Sequence, residues 1–182
     1  MSIAIRMSAI FAAAAVVVVA PANAQVGEEW LRSEPRDASY SVEIPCTADA
    51  VAAGSAAIEG SRPEMNKGSV VACVDGGAIF SVGRVGTDGG PVTENSVFDT
   101  MLRAIGRTEL PNVELTQVTV SGRRAIFSRE YKDGGVAQTG IVEISNGSYL
   151  MVLGGGIPEL GEVPEDIEVM IDRFFASLEV DE

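Results

Sequence analysis

Residues 113–153, VELTQVTVSGRRAIFSREYKDGGVAQTGIVEISNGSYLMVL, decide the fold. Four runs rich in β-branched and aromatic residues stand in succession: Val113 to Val120, Arg123 to Tyr131, Val136 to Ile144 and Tyr149 to Leu153. The connectors are Ser121-Gly122, Asp133-Gly134-Gly135 and Ser145-Asn146-Gly147. Each supplies glycine where a hairpin turn needs positive φ, and links this short join antiparallel neighbours. The stretch is predicted to be a four-stranded meander.

Upstream, Ser69 to Val74 and Ala78 to Val85 flank Asp75-Gly76-Gly77, a further hairpin signal. A loop from Gly86 to Pro91 follows. Thr93 then caps a predicted helix to about Ile105, in which Val97, Phe98, Met101, Leu102 and Ile105 recur at helical spacing before Gly106. Earlier still, Tyr40, Val42 and Ile44 alternate in a half-buried strand stopped by Pro45, and Ala48 to Ala53 reads as a short helix broken at Gly54. Residues 25–38 are polar and charged, an N-terminal segment pinned by the single aromatic Trp30.

Downstream, Gly154-Gly155-Gly156 reads as a flexible connector. A last helix is predicted from Glu165 to Leu178, started by Pro164 with Glu165 and Asp166 in its first turn, where negative charge suits the helix dipole. Its apolar stripe is Ile167, Met170, Ile171, Phe174, Phe175 and Leu178. Adjacent phenylalanines lie about 100° apart on a helix, which leaves open whether one faces the core and the other a partner. The whole describes a single α+β domain over residues 39–182, a mostly antiparallel six- to seven-stranded sheet flanked by amphipathic helices.

This order of parts resembles the PsbP-like family. The resemblance rests on Tyr40-Ser41-Val42-Glu43-Ile44-Pro45, on the helix Val97 to Ile105 and on Val118-Thr119-Val120-Ser121-Gly122-Arg123-Arg124-Ala125. It rests further on Gly147-Ser148-Tyr149-Leu150-Met151-Val152 and on the closing Arg173-Phe174-Phe175-Ala176-Ser177-Leu178-Glu179-Val180. The resemblance implies an α/β/α sandwich and an accessory role of the kind seen in photosystem subunits and exported bacterial proteins. It brings no active-site residues.

Residues 1–24 combine Arg6, an apolar run from Ala9 to Ala20, Pro21 and the triplet Ala22-Asn23-Ala24, the three parts of a cleavable export signal. Cleavage is expected before Gln25, with no membrane insertion afterwards and a periplasmic or secreted product. The signal carries one basic residue and no acid, so the mature chain would hold 12 basic and 26 acidic residues, a net charge of −14. That charge disfavours nucleic acid and anionic lipid as partners. Cys46 and Cys73 are an even pair in an exported chain and are expected to form a disulfide; closing the 26 residues between them is worth about 3 kcal/mol in the chain-entropy picture.

The sequence names no activity. The absence of histidine removes the usual general base of serine and cysteine hydrolases and most transition-metal sites. The glycines 154–156 precede no Lys-Ser/Thr pair, so a phosphate loop is not expected. Glu159, Glu162, Glu165, Asp166 and Glu168 form an acidic stretch that could hold calcium but matches no calcium-loop pattern, and a solvated helix start is the simpler reading. Arg123, Arg124, Arg129 and Glu130 are read as surface pairing. No catalytic, cofactor-binding or metal residues are therefore assigned, and no cofactor is expected. The expected function is a non-enzymatic binding or accessory protein whose partner is another envelope protein. The alternative is a carboxylate-based hydrolase or small-ligand protein, which requires a pocket holding a carboxylate of raised pKa.

Overall fold

Glycine turns set the register of the main sheet. In the computed structural model, which describes residues 30–35, 39–61, 65–85, 113–145 and 148–181, β5 (Val113–Val120) and β6 (Arg123–Lys132) meet at Ser121 and Gly122, with φ of 48° and 75°. β6 turns into β7 (Gly135–Ser145) through Asp133 and Gly134, at 50° and 81°. Two successive positive φ values give the turn whose twist matches paired strands. β8 (Ser148–Gly156) completes the meander and pairs on its far side with β4 (Ala78–Val85), which pairs with β3 (Met65–Asp75). The sheet runs β3-β4-β8-β7-β6-β5 and is antiparallel throughout. The export signal, the predicted helix 93–105 and the turn at 146–147 lie outside the described residues.

The opening strand does not join this sheet. β2 (Tyr40–Ile44) is the middle of a separate three-stranded sheet, between β1 (Leu31–Ser33) and β9 (Glu179–Val180). Part of the polar N-terminal segment is thus a strand. β2 lies over β3 and β4: Val42 and Ile44 join the core, and the buried Tyr40 hydroxyl donates to the carbonyls of Ser69 (2.7 Å) and Val82 (3.1 Å). Burial pushes the Tyr40 pKa far up, so this hydroxyl stays a donor.

The glycines 154–156 are not a connector. They are the last three residues of β8, paired to β4 on one side and β7 on the other. Gly154 and Gly156 lie on the face turned to the second helix, α2 (Ile167–Ala176), and make room for it: a Cβ on Gly154 would touch the rings of Phe80, Phe174 and Phe175 at 3.4 Å, and one on Gly156 would lie 2.5 Å from Val163 and 3.0 Å from Ile167. α2 starts two residues later and ends two earlier than the sequence pattern implies. Phe174 and Phe175 both point inward, 0% and 6% exposed, so the core takes both rings. Phe174 meets Phe80 edge-on at 5.1 Å and Phe175 meets Phe127 at 4.9 Å. One ring packs over the β4 side of the sheet and the other over the β6 side.

The first helix, α1 (Ala48–Ser61), does not break at Gly54. Thr47 caps it, its side-chain oxygen accepting from the Ala50 N–H at 3.3 Å. Gly54 is instead where α1 meets the outer edge of β3, so closely that a Cβ there would sit 2.4 Å from the Ala72 carbonyl oxygen. Ser55 accepts a hydrogen bond from the Ala72 N–H at 3.0 Å and Glu59 one from the Gly68 N–H at 2.6 Å, so the helix caps groups that an edge strand otherwise exposes. A disulfide joins Cys46, between β2 and α1, to the buried Cys73 of β3, with Cα atoms 6.6 Å apart.

Two stability predictions follow from these contacts. Phe174→Ala and Phe175→Ala should each lower the unfolding free energy by about 3–5 kcal/mol in urea titration, while Glu168→Ala on the exposed face of α2 changes it by under about 0.5 kcal/mol. Gly54→Ala should cost about 1–3 kcal/mol through the clash with β3. Gly60→Ala, in the same helix with open space around it, should stabilise by about 0.5–1 kcal/mol.

Candidate functional site

α2 crosses β8 and β7, and among the described residues the β5–β6 end of the same sheet face lies open beside it. There an open cleft of about 400 Å³ runs alongside the helix. Val118 and Val120 of β5, Phe127 of β6 and Gln138 of β7 line it from the sheet; Asp172, Phe175, Ala176 and Leu178 line it from α2 and the residues just after it. Ser121, in the β5–β6 turn, stands at the rim.

Alternation explains the floor. Ala125 and Phe127 share a face with Val136, Gln138, Gly140 and Val142, because Phe127 pairs with Gly140 and Ala125 with Val142. Gly140 has no side chain under the Phe127 and Phe175 rings; a Cβ there would lie 2.8 Å from one and 3.0 Å from the other. Gln138 occupies a position whose neighbours on the strand face are apolar, and it is 9% exposed.

Its polarity is used. Arg129 donates from Nε to Gln138 Oε1 at 2.8 Å and from Nη2 to the Asp172 carboxylate, and Glu168 lies 3.9 Å from Nη1. Tyr131 donates to the same Glu168 at 3.0 Å. Desolvation works against the Arg129 charge, yet Asp172 and Tyr131 outweigh it and its pKa is raised. Arg129 therefore remains a cation and ties β6 to α2 at the polar end of the cleft. This is more than the surface pairing expected; Arg124, by contrast, forms a two-pronged pair with Glu143 at 2.7 and 2.9 Å across adjacent strands.

The C-terminal wall is pinned by the small sheet. Val180 N–H donates to Ser121 Oγ at 3.0 Å, and Arg32 of β1 reaches across β2 to Glu179 at 2.6 Å. Arg173 pairs with Glu43 at 2.9 Å and stacks over Trp30, 4.2 Å from the ring centre, so the aromatic expected to pin the N-terminal segment does so through α2.

The other sequence candidates are not gathered here. Glu159, Glu162, Glu165 and Asp166 are exposed in the bend between β8 and α2, where the Glu162 carbonyl accepts from the Gly77 N–H at 2.9 Å. Among the described residues no three His, Cys, Asp or Glu side chains converge as a metal site would require. The cleft residues Val118, Phe127, Gln138 and Asp172 were not singled out from sequence. One signal was legible: Gln138 falls in phase with Val136, Val142 and Ile144, a polar residue on an apolar face.

No known family pattern matches the chain, and no curated protein matches it. Among solved structures, a protein of unknown function from Pseudomonas aeruginosa, PA94, is similar at 15% identity and a TM-score of 0.33, over 72% of this chain and 85% of its own. LpqN of Mycobacterium tuberculosis, involved in cell envelope biogenesis, is similar at 12% identity and a TM-score of 0.33, over 88% of this chain and 83% of its own. Likenesses this distant say nothing of this chain's role.

The Arg32–Glu179 pair gives a pH prediction. Hydrogen bonding and the charge of Arg32 hold the Glu179 carboxyl below the usual range. A depressed folded-state pKa contributes stability above the unfolded pKa and loses it as pH falls through the folded one. Glu179→Gln should therefore be slightly less stable than wild type in urea at pH 7, and the two midpoints should converge as pH falls from the unfolded carboxyl value of about 4.3 through the lower folded-state value. The difference should also shrink in 1 M salt, because both side chains are exposed.

Proposed function

We propose that this chain is an exported, non-enzymatic binding or accessory protein of the cell envelope, of the PsbP-like kind, and that the cleft beside α2 is where it meets its partner. One observation carries the reading: the cleft is lined by the apolar Val118, Val120, Phe127 and Phe175, and Asp172, its only ionisable lining residue among the described residues, is already held by Arg129. Such a surface offers apolar contact and hydrogen bonding. Among the described residues it offers no second carboxylate for acid–base work, so the hydrolase alternative finds no pair of groups among them.

Compartment and charge agree with this. The buried Cys46–Cys73 disulfide suits an oxidising compartment. No helix among the described residues is long and apolar enough to cross a membrane. The formal net charge of −13 favours basic partner surfaces.

Photo-crosslinking in intact cells tests the reading. A photoreactive residue at Ala176, in the cleft, should give a discrete adduct with one protein, while the same residue at Asp133, in the β6–β7 turn, should give none. Equal labelling from both positions, or no adduct from Ala176, would contradict it.

A further inference from the structure

The two edges of the large sheet are treated differently. β3 is covered by α1, whose Ser55 and Glu59 accept from Ala72 and Gly68, and its ladder is interrupted by an irregularity between Met65 and Val70. β5, at the opposite edge, has no neighbour on its outer side among the described residues. It pairs with β6 through all eight of its residues without a break, and its sequence VELTQVTV holds no proline and one charged residue. Bulges, prolines, charges and covering helices are the devices that stop edge strands from pairing. Among the described residues β5 has no bulge, no proline and no covering helix, carries a single charge, and borders the cleft.

Turn geometry gives the polarity of that edge. A two-residue turn at Ser121-Gly122 makes Val120 and Arg123 the first hydrogen-bonded pair, so Val118 and Thr116 also direct their backbone groups at β6. Gln117 and Thr119 then direct theirs outward. A strand added there places every second side chain on the face of Val118, over the cleft floor formed with Phe127 and Phe175.

We infer that β5 accepts an extended segment of a basic partner protein as a seventh strand, with an apolar side chain of that segment seated in the cleft beside α2. The inference rests on the reading of the cleft as the partner site and adds the mode of binding. The open backbone edge selects an extended chain over a helix, since main-chain hydrogen bonds supply the affinity and the adjoining pocket the choice of side chain. The occupant is basic because this chain carries a formal net charge of −13. The same charge opposes pairing of two copies through β5.

The test uses the mature protein and a displayed library of random dodecapeptides. Enriched peptides should carry apolar residues at alternate positions with Lys or Arg between them. Their binding should weaken about tenfold or more on Gln117→Pro, which removes an outward N–H from an edge position where proline is tolerated. Ala176→Phe, which fills the cleft, should weaken them similarly; thermal melts of both variants check that the fold is kept. Peptides weakened by Ala176→Phe but bound equally by Gln117→Pro, or insensitive to N-methylation of their backbone, would overturn strand addition and leave the cleft reading standing. Peptides insensitive to both variants, or no enrichment, would overturn strand addition, and absence of an Ala176 crosslink would separately remove the cleft reading. Sedimentation showing a peptide-free dimer abolished by Gln117→Pro would assign the edge to a second copy instead.

Discussion

The seating of two adjacent phenylalanines on a sheet floored with glycine is the contact on which the rest of the structure depends. Phe174 and Phe175 leave α2 about a third of a turn apart, so both can be buried only if the sheet beneath provides two hollows. Gly154 and Gly140 provide them, on neighbouring strands, with Phe80 and Phe127 as the aromatic walls. The rings also meet each other at 5.6 Å, edge-on, which makes one aromatic row from β4 to β6. A glycine interior to a strand weakens it, and an aromatic lying over the gap offsets that loss. Once α2 is fixed over β7 and β8, the small sheet follows. Ser177 accepts from the Glu43 N–H at 2.9 Å, Arg173 holds Glu43, and β9 continues directly from the helix into pairing with β2. Among the described residues, the open end of the face, and hence the cleft, is what this placement leaves over.

The sequence was most legible where backbone chemistry is local. The turns Ser121-Gly122, Asp133-Gly134 and Gly76-Gly77 announce hairpins because few residues adopt their φ values, and the meander follows from them. The apolar stripe of the last helix was equally plain. Glycine outside a turn is ambiguous: at Gly54 and at 154–156 the pattern suggests a breaker or connector, whereas Gly54, Gly154 and Gly156 let a helix approach a strand. Close approach is a tertiary fact, and the same residue type serves both purposes. The small sheet was hidden for a related reason, since Leu31–Ser33 and Glu179–Val180 are too short to show a period and find each other only through β2.

The candidate site was scarcely legible. Its floor residues look like ordinary strand residues, and what makes them a cleft is the path of α2 above them. Gln138 was the one anomaly, and its meaning depends on Arg129, nine positions earlier in the chain, and on Asp172 in the helix. These three side chains form a polar end to an otherwise apolar groove. The edge strand β5 adds a row of backbone groups beside it. This groove borders one edge of the sheet, and the Cys46–Cys73 disulfide fastens the opposite edge.

A double-mutant cycle between Gly140 and Phe175 tests the central claim most directly. If Gly140 exists to accept the ring, Gly140→Ala and Phe175→Ala each destabilise in urea titration, and the double variant loses less than the sum by at least about 0.5 kcal/mol, because the added methyl occupies space the ring has vacated. Additive losses, within about 0.3 kcal/mol, would contradict the account and show that glycine and phenylalanine do not share one contact.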